Sequence, residues 1–295
     1  MHFPRHWSRA TVDDEGREVP GPGFTAYGWS DHGDAEAHRH AVDRARRIAR
    51  WYTDQQTPQD PGLPDDYYQR PFREPVIEQV PAAGGPHSVL SRNVYGSYVL
   101  NCPDVLFADI DAPPPPRVRT TWWQRLLGYG HEVYATDRRS ESERAEALLD
   151  MLRPIVQRRG LTCRLYRTAA GYRAAVVNRR YPAASTEALA LLREMHSDTR
   201  YVTLCQAQNC FRARLTPKPW RMQEMTRPRP PARFPVLDTA QRETMDRWIR
   251  EYEAAIPRYS VCRLIEQIGP HPVDPGVGEV LSYHDQMACG GGPLA

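Results

Sequence analysis

Hydrophobic positions recur along this chain with two periods, and the two alternate. Residues 1–33 are rich in Gly, Pro, Asp and Trp and read as extended or irregular. Residues 34–54 predict a helix: Asp34 suits the N-cap, and Ala41, Val42, Ala45, Ile48, Ala49 and Tyr52 recur at helical spacing. A Pro- and Asp-rich loop runs to about residue 75. Residues 88–111 are strand-like, with a turn over Arg92-Asn93-Val94-Tyr95-Gly96 and a short break at 101–104. The segment 113–137, with Trp122 and Trp123, reads as a long insertion.

The second half repeats the alternation. Residues 140–159 predict a helix, with Ser140 and Glu143 as a capping box, an apolar stripe from Ala145 to Val156, and Gly160 as its stop. Strands are predicted over 162–167 and 172–177, joined by Thr168-Ala169-Ala170-Gly171. A helix over 185–195 follows, then strand-like pieces at 201–204 and 211–215. Residues 219–236 are a Pro- and Arg-rich linker. Residues 238–254 predict a helix with Asp238 and Gln241 as its cap pair, and the tail reads as loose.

These elements predict an α+β fold: a mixed or antiparallel sheet with helices packed mainly on one face, and helical additions at both ends. The expected organisation is an irregular and helical segment (1–85), an α+β core (86–220), a linker (221–236) and a helical appendix (237–295).

Composition narrows the picture. The length of 295 residues and the 40% hydrophobic content support a buried core, and 28 prolines imply long irregular stretches. No apolar run approaches the roughly 18 residues of a membrane helix. No apolar signal-peptide core follows Met1, so a cytoplasmic protein with no membrane partner is expected. The six cysteines, Cys102, Cys163, Cys205, Cys210, Cys262 and Cys289, are scattered and do not form a disulfide scaffold. Cys205 and Cys210 offer half of a zinc site, and no second pair supplies the other half. The net charge is only +3, but 38 of 39 basic residues are arginine, and the single lysine is Lys218. A retained ammonium among arginines marks a position where a compact charge is useful, or else is a chance survivor.

The candidate chemistry lies at 106–111, Leu-Phe-Ala-Asp-Ile-Asp. On a strand, Asp109 and Asp111 point the same way. Two carboxylates side by side repel unless a cation lies between them, and Mg²⁺ or Mn²⁺ favours such oxygen ligands. The plain alternative is a solvated strand end. Arg212 and Arg214 alternate on the 211–215 strand and share a face; with Arg173 and Lys218 they form an anion cradle, or else a solvated basic edge. Tyr95 is available to stack on a base. The chain lacks a P-loop, a Rossmann glycine fingerprint, HExxH and Gly-x-Ser-x-Gly.

The order of strand with Asp-x-Asp, helix, strand, Gly turn, strand, helix and basic strand resembles the catalytic core of archaeo-eukaryotic primase-like nucleotidyltransferases, over residues 88–220. The resemblance implies a primase-like core with an RRM-like half. It implies metal binding by Asp109 and Asp111, and contact of Thr168, Gly171 and Arg173 with nucleotide phosphates. It also implies a basic strand carrying Arg212, Arg214 and Lys218. The implied cofactor is Mg²⁺ or Mn²⁺; the implied partners are a nucleoside triphosphate and DNA or RNA. Two departures stand out. Arg173 replaces the family's histidine, and residues 202–209 lack the family's third acid, leaving Asp198 as the nearest upstream carboxylate. The same scaffold without catalysis would be a nucleotide- or nucleic-acid-binding module, or a protein-interaction domain.

Overall fold

Strand alternation and helical stripes assemble in the computed structural model into an α+β fold with antiparallel sheets. The structure describes residues 1–53, 72–111, 141–236 and 238–295. The expected insertion at 113–137 and the Ser140 cap lie outside the described residues. Among the described residues no helix is long and apolar enough to cross a membrane.

Residues 1–33, read as extended or irregular, form a hairpin of β1 (His6–Val12) and β2 (Phe24–Ser30). Its pattern was hard to read because small Ala10, Ala26 and Gly28, rather than large side chains, face inward. They have to be small because α1 (Asp34–Thr53) lies very close through Ala37, Ala41, Ala45 and Ala49. A Cβ on Gly28 would stand 2.2 Å from the carbonyl oxygen of Ala37.

The remaining strands form two four-stranded sheets. One runs in the order β3 (Val76–Val80), β4 (Ser88–Arg92), β5 (Tyr98–Cys102) and β9 (Phe211–Arg214). The other runs β10 (Cys262–Ile268), β7 (Cys163–Thr168), β8 (Gly171–Val176) and β6 (Phe107–Asp111). β8 is buried along its whole length, Arg173 included, so its sequence does not alternate between apolar and polar. The predicted helix behind the Asp-x-Asp strand is α2 (Glu141–Arg159), and Leu148, Leu149, Leu152, Ile155 and Val156 bring it into the main core. Burying each such side chain contributes about 1.5–3 kcal/mol.

Two expectations are corrected. The 201–204 stretch, read as a strand from Tyr201, Val202 and Thr203, belongs to helix α4 (Thr199–Gln208). Its N-cap decides the outcome: the Asp198 carboxylate accepts from the backbone N–H of Tyr201 over 2.8 Å. Val202 and Cys205, three residues apart, then form the buried side of the helix. The preceding helix, α3 (Thr186–Glu194), starts at Ser185 as expected.

The second correction concerns the C-terminal segment. The predicted helix is α5 (Thr239–Ala255), but the residues after it are not a loose tail. β10 pairs with β7 in the sheet that carries Asp109, and α6 (Pro275–Ala288) places Val277, Val280 and Leu281 in the main core. The Pro/Arg-rich segment is also packed: Met222 and Met225 join Trp248 and Tyr252 of α5 in a separate core cluster.

Candidate functional site

β6 is the last strand of its sheet, and the register against β8 positions its acids. Asp109 stands directly opposite Arg173, and Asp111 directly opposite Gly171. Opposed residues in an antiparallel pair share a face, so both aspartates lie on the Arg173 side. The outer edge of β6 is held by the α3–α4 connection. The Asp109 backbone N–H donates to Ser197 Oγ, and its carbonyl accepts from the Ser197 hydroxyl and the Asp198 N–H. Tyr201 adds a hydroxyl bond to the Phe107 carbonyl, 2.8 Å long. These bonds cap an edge that would otherwise invite further pairing, and they bring Asp198 to the acid pair.

A cleft of about 280 Å³ opens beside this edge. Asp109, Asp111, Thr168, Gly171, Arg173, Arg212, Arg214 and Lys218 all line it, together with Tyr95 and Arg221. All the candidate residues therefore meet around one cavity, between the ends of the two four-stranded sheets. Their situations differ widely.

Asp111 is exposed at the strand end. Partial burial raises its pKa, and the charges of Asp109 and Asp198 raise it further; Lys218 opposes them. Two carboxylates about 7 Å apart on one strand face repel by about 2 kcal/mol at an effective dielectric near 20, and by less where water screens them. A cation relieves that repulsion. Lys218 supplies part of it, and its own pKa is lowered by burial and by Arg214 and Arg221, against the pull of both aspartates.

Arg214 is pushed down to about 10, chiefly by burial and then by Arg173 and Arg221. Its Nη1 donates to the carbonyls of Thr216 and Ala295, each over 3.2 Å. Arg212 differs from a free anion ligand. It makes a two-pronged ion pair with Glu74, at 2.7 and 2.9 Å, and donates to Gln208 over 2.7 Å. Arg173 is 5% exposed, and its Nη1 donates to the Arg214 carbonyl over 3.0 Å and to His284 Nε2 over 2.9 Å. All three guanidiniums are thus anchored in the cleft wall, and Lys218 and Arg221 line the same cleft.

The Thr168–Gly171 turn is closed by the Gly171 N–H donating to Thr168 Oγ over 3.1 Å. This turn joins β7 to β8 and ends opposite Asp111. At the rim, exposed Tyr95 meets exposed Trp220 edge to face, with centroids 5.2 Å apart, and Lys218 Nζ lies 5.5 Å from the Trp220 ring. Trp220 was not singled out from the sequence; its position beside the lone lysine was the available signal. Gly96 has a positive φ and packs against Trp248, which shapes the turn that presents Tyr95.

A second, larger cavity of about 360 Å³ lies along the Pro/Arg-rich segment, lined by Arg73, Arg92, Phe234 and Met245 among others. It shares Glu74, Asn93, Val94 and Gln208 with the cleft but holds neither aspartate of the pair. Among the described residues no three His, Cys, Asp or Glu side chains are grouped closely enough to hold a metal ion. Asp198 stands near Asp111, but its carboxylate caps α4. Compared with known protein families, curated proteins and solved structures, the chain matches none.

Proposed function

We propose that this cleft binds a nucleoside triphosphate and that the chain is a divergent metal-dependent nucleotidyltransferase acting on nucleic acid, similar to primases and polymerases. The observation that carries this reading is the opposition of Asp109 and Asp111 to Lys218, Arg214 and Arg221 around one open cavity. Acids on one side and cations on the other suit a ligand that brings both a divalent ion and phosphates.

The donor set fits that ion in one particular way. Mg²⁺ commonly binds through one or two carboxylates together with substrate phosphates. Asp109 and Asp111 provide the two carboxylates; a cage made of protein alone would need a third, which the described residues lack. Mg²⁺ or Mn²⁺, when bound, neutralises phosphate charge and lowers the pKa of an attacking hydroxyl.

The side chains of this chain have separable tasks in the proposal. Asp109 and Asp111 hold the ion. Lys218 and Arg221 meet the phosphates, and Arg214 adds a buried positive field behind them. The Thr168–Gly171 turn bounds the space beside Asp111. Tyr95 and Trp220 offer faces for a base, of the sort used in sequence-tolerant binding of DNA or RNA.

The capping role of Asp198 favours a second reading, a nucleotide- or nucleic-acid-binding module without catalysis. Calorimetric titration of ATP or GTP, with and without Mn²⁺, into wild type and the Asp109→Asn/Asp111→Asn double variant tests both. Mn²⁺-dependent binding lost in the double variant, followed by primer extension by wild type, is expected. Binding indifferent to Mn²⁺ and to the variant, with no extension, favours the second reading. No binding at all overturns both.

A further inference from the structure

We propose that Cys262 and Cys289 form a reversible disulfide, made by exchange with a low-molecular-weight disulfide. Cys262 opens β10, and Cys289 follows the last residue of α6. Their backbones pair as a parallel bridge, next to a hydrogen bond from the Val261 N–H to the Ala288 carbonyl, 2.8 Å long. Bridged neighbours have Cα atoms roughly 4.8 Å apart, inside the span of about 4.4–6.8 Å that a disulfide requires. The two sulfurs already stand 3.6 Å apart. Bond formation at about 2.05 Å asks only for side-chain rotation.

The surroundings favour thiolate chemistry at this pair and nowhere else in the chain. His284 Nε2 lies 4.0 Å from Cys262 Sγ, and Asp285 Oδ1 lies 2.8 Å from His284 Nδ1. The Cys262 pKa is lowered, first by the hydrogen bond from Cys289 and also by the charge of Arg173, against its burial. Cys289 is correspondingly raised and keeps the shared proton. The other four thiols are buried and pushed up by burial, Cys163, Cys205 and Cys210 to about 12 and Cys102 further still. Access also discriminates. Cys262 is fully buried, whereas Cys289 is partly exposed and precedes exposed Gly290 and Gly291.

The exchange balances as follows. Cys289 passes its proton to Cys262 and attacks one sulfur of R–S–S–R, breaking that bond and releasing R–S⁻. Cys262 returns the proton to the released thiolate. It then attacks the Cys289 sulfur of the mixed disulfide and expels the second R–S⁻. The cysteine pair loses two electrons and the small disulfide gains them. A reducing thiol reverses the sequence.

The test uses the full chain, reduced and then incubated with oxidised glutathione, alkylated and mapped by mass spectrometry. A Cys262–Cys289 crosslink is expected, with Cys102, Cys163, Cys205 and Cys210 still alkylated only after denaturation. Cys262→Ser should stop at a glutathione adduct on Cys289, since the resolving sulfur is gone. Cys289→Ser should give neither crosslink nor adduct. Both cysteines remaining free in folded wild type overturns the proposal, as does a crosslink through any other cysteine. A Cys262→Ser protein without the Cys289 adduct overturns the assigned order of attack, and with it the exchange route. Neither variant touches Asp109 or Lys218, so the outcome is independent of nucleotide binding.

Discussion

Arg173 on β8 donates from Nη1 to Nε2 of His284 on α6 over 2.9 Å, and both side chains are buried. That bond requires Nε2 to accept, so the His284 ring proton lies on Nδ1, facing Asp285 at 2.8 Å. Arg173 also stands opposite Asp109 in the strand register. A residue expected to touch phosphate is therefore tied to the C-terminal helix, and α6 becomes part of the cleft's support.

Removing the acceptor should be costly. His284→Leu leaves a buried guanidinium N–H without that partner and should destabilise the protein by about 1.5–3 kcal/mol in urea unfolding. His284→Gln retains an oxygen acceptor and should recover part of the loss. Equal losses in the two variants would mean that packing, not the hydrogen bond, is what His284 supplies.

Asp111 makes stability depend on pH in a definite direction. Its pKa is raised in the folded protein by burial, Asp109 and Asp198. The folded state thus binds this proton more tightly than the unfolded state does. Its contribution is present below the unfolded value of about 3.9 and is lost as pH rises through the raised folded value. Asp111→Asn should therefore raise the melting temperature at neutral pH, by less than about 1 kcal/mol in stability because solvent screens the exposed group. The gain should vanish below about pH 4. A loss of stability at neutral pH would contradict the assignment of Asp111 as a repelled carboxylate.

Glu74 is expected to matter more than its place near a cleft suggests. Its ion pair with Arg212 is largely shielded, with side chains 13% and 9% exposed, and both carboxylate oxygens participate. Removing the carboxylate takes away a shielded partner of Arg212, so Glu74→Ala should destabilise the protein, by up to about 3–5 kcal/mol. Thermal and urea unfolding check this. A change near zero would mean that Arg212 turns to solvent or to the cleft when released.

The rim aromatics bear on ligand binding. Trp220→Ala and Tyr95→Ala should each weaken nucleotide or oligonucleotide affinity by about 1–3 kcal/mol if a base stacks there. Neither side chain belongs to the core, so the melting temperature should shift little. Calorimetric titration of wild type and of each variant reads the affinities, and thermal melts read the stability. Unchanged affinity in both variants would remove the rim from the binding surface.

Local pattern determined much of this molecule. The stripe in 34–54, the capped helix at Ser185 and the strand pair flanking Thr168–Gly171 were legible because each obeys one period and ends on a residue suited to ending it. The Asp109/Asp111 pair was legible for the same reason, since residues two apart on a strand share a face wherever the strand lies. Small inward residues concealed the β1–β2 hairpin, and β-branched side chains disguised α4, whose identity rests on a cap at Asp198. Only the tertiary structure brought β10 beside β7, Cys262 to Cys289, His284 to Arg173 and Glu74 to Arg212. Those partners are separated by 27 to 138 residues, and no local period encodes contacts made by strands and helices that meet only when the core closes. The cleft's composition could be proposed from the chain, but which of its arginines are anchored in the wall depended on acceptors supplied from distant elements.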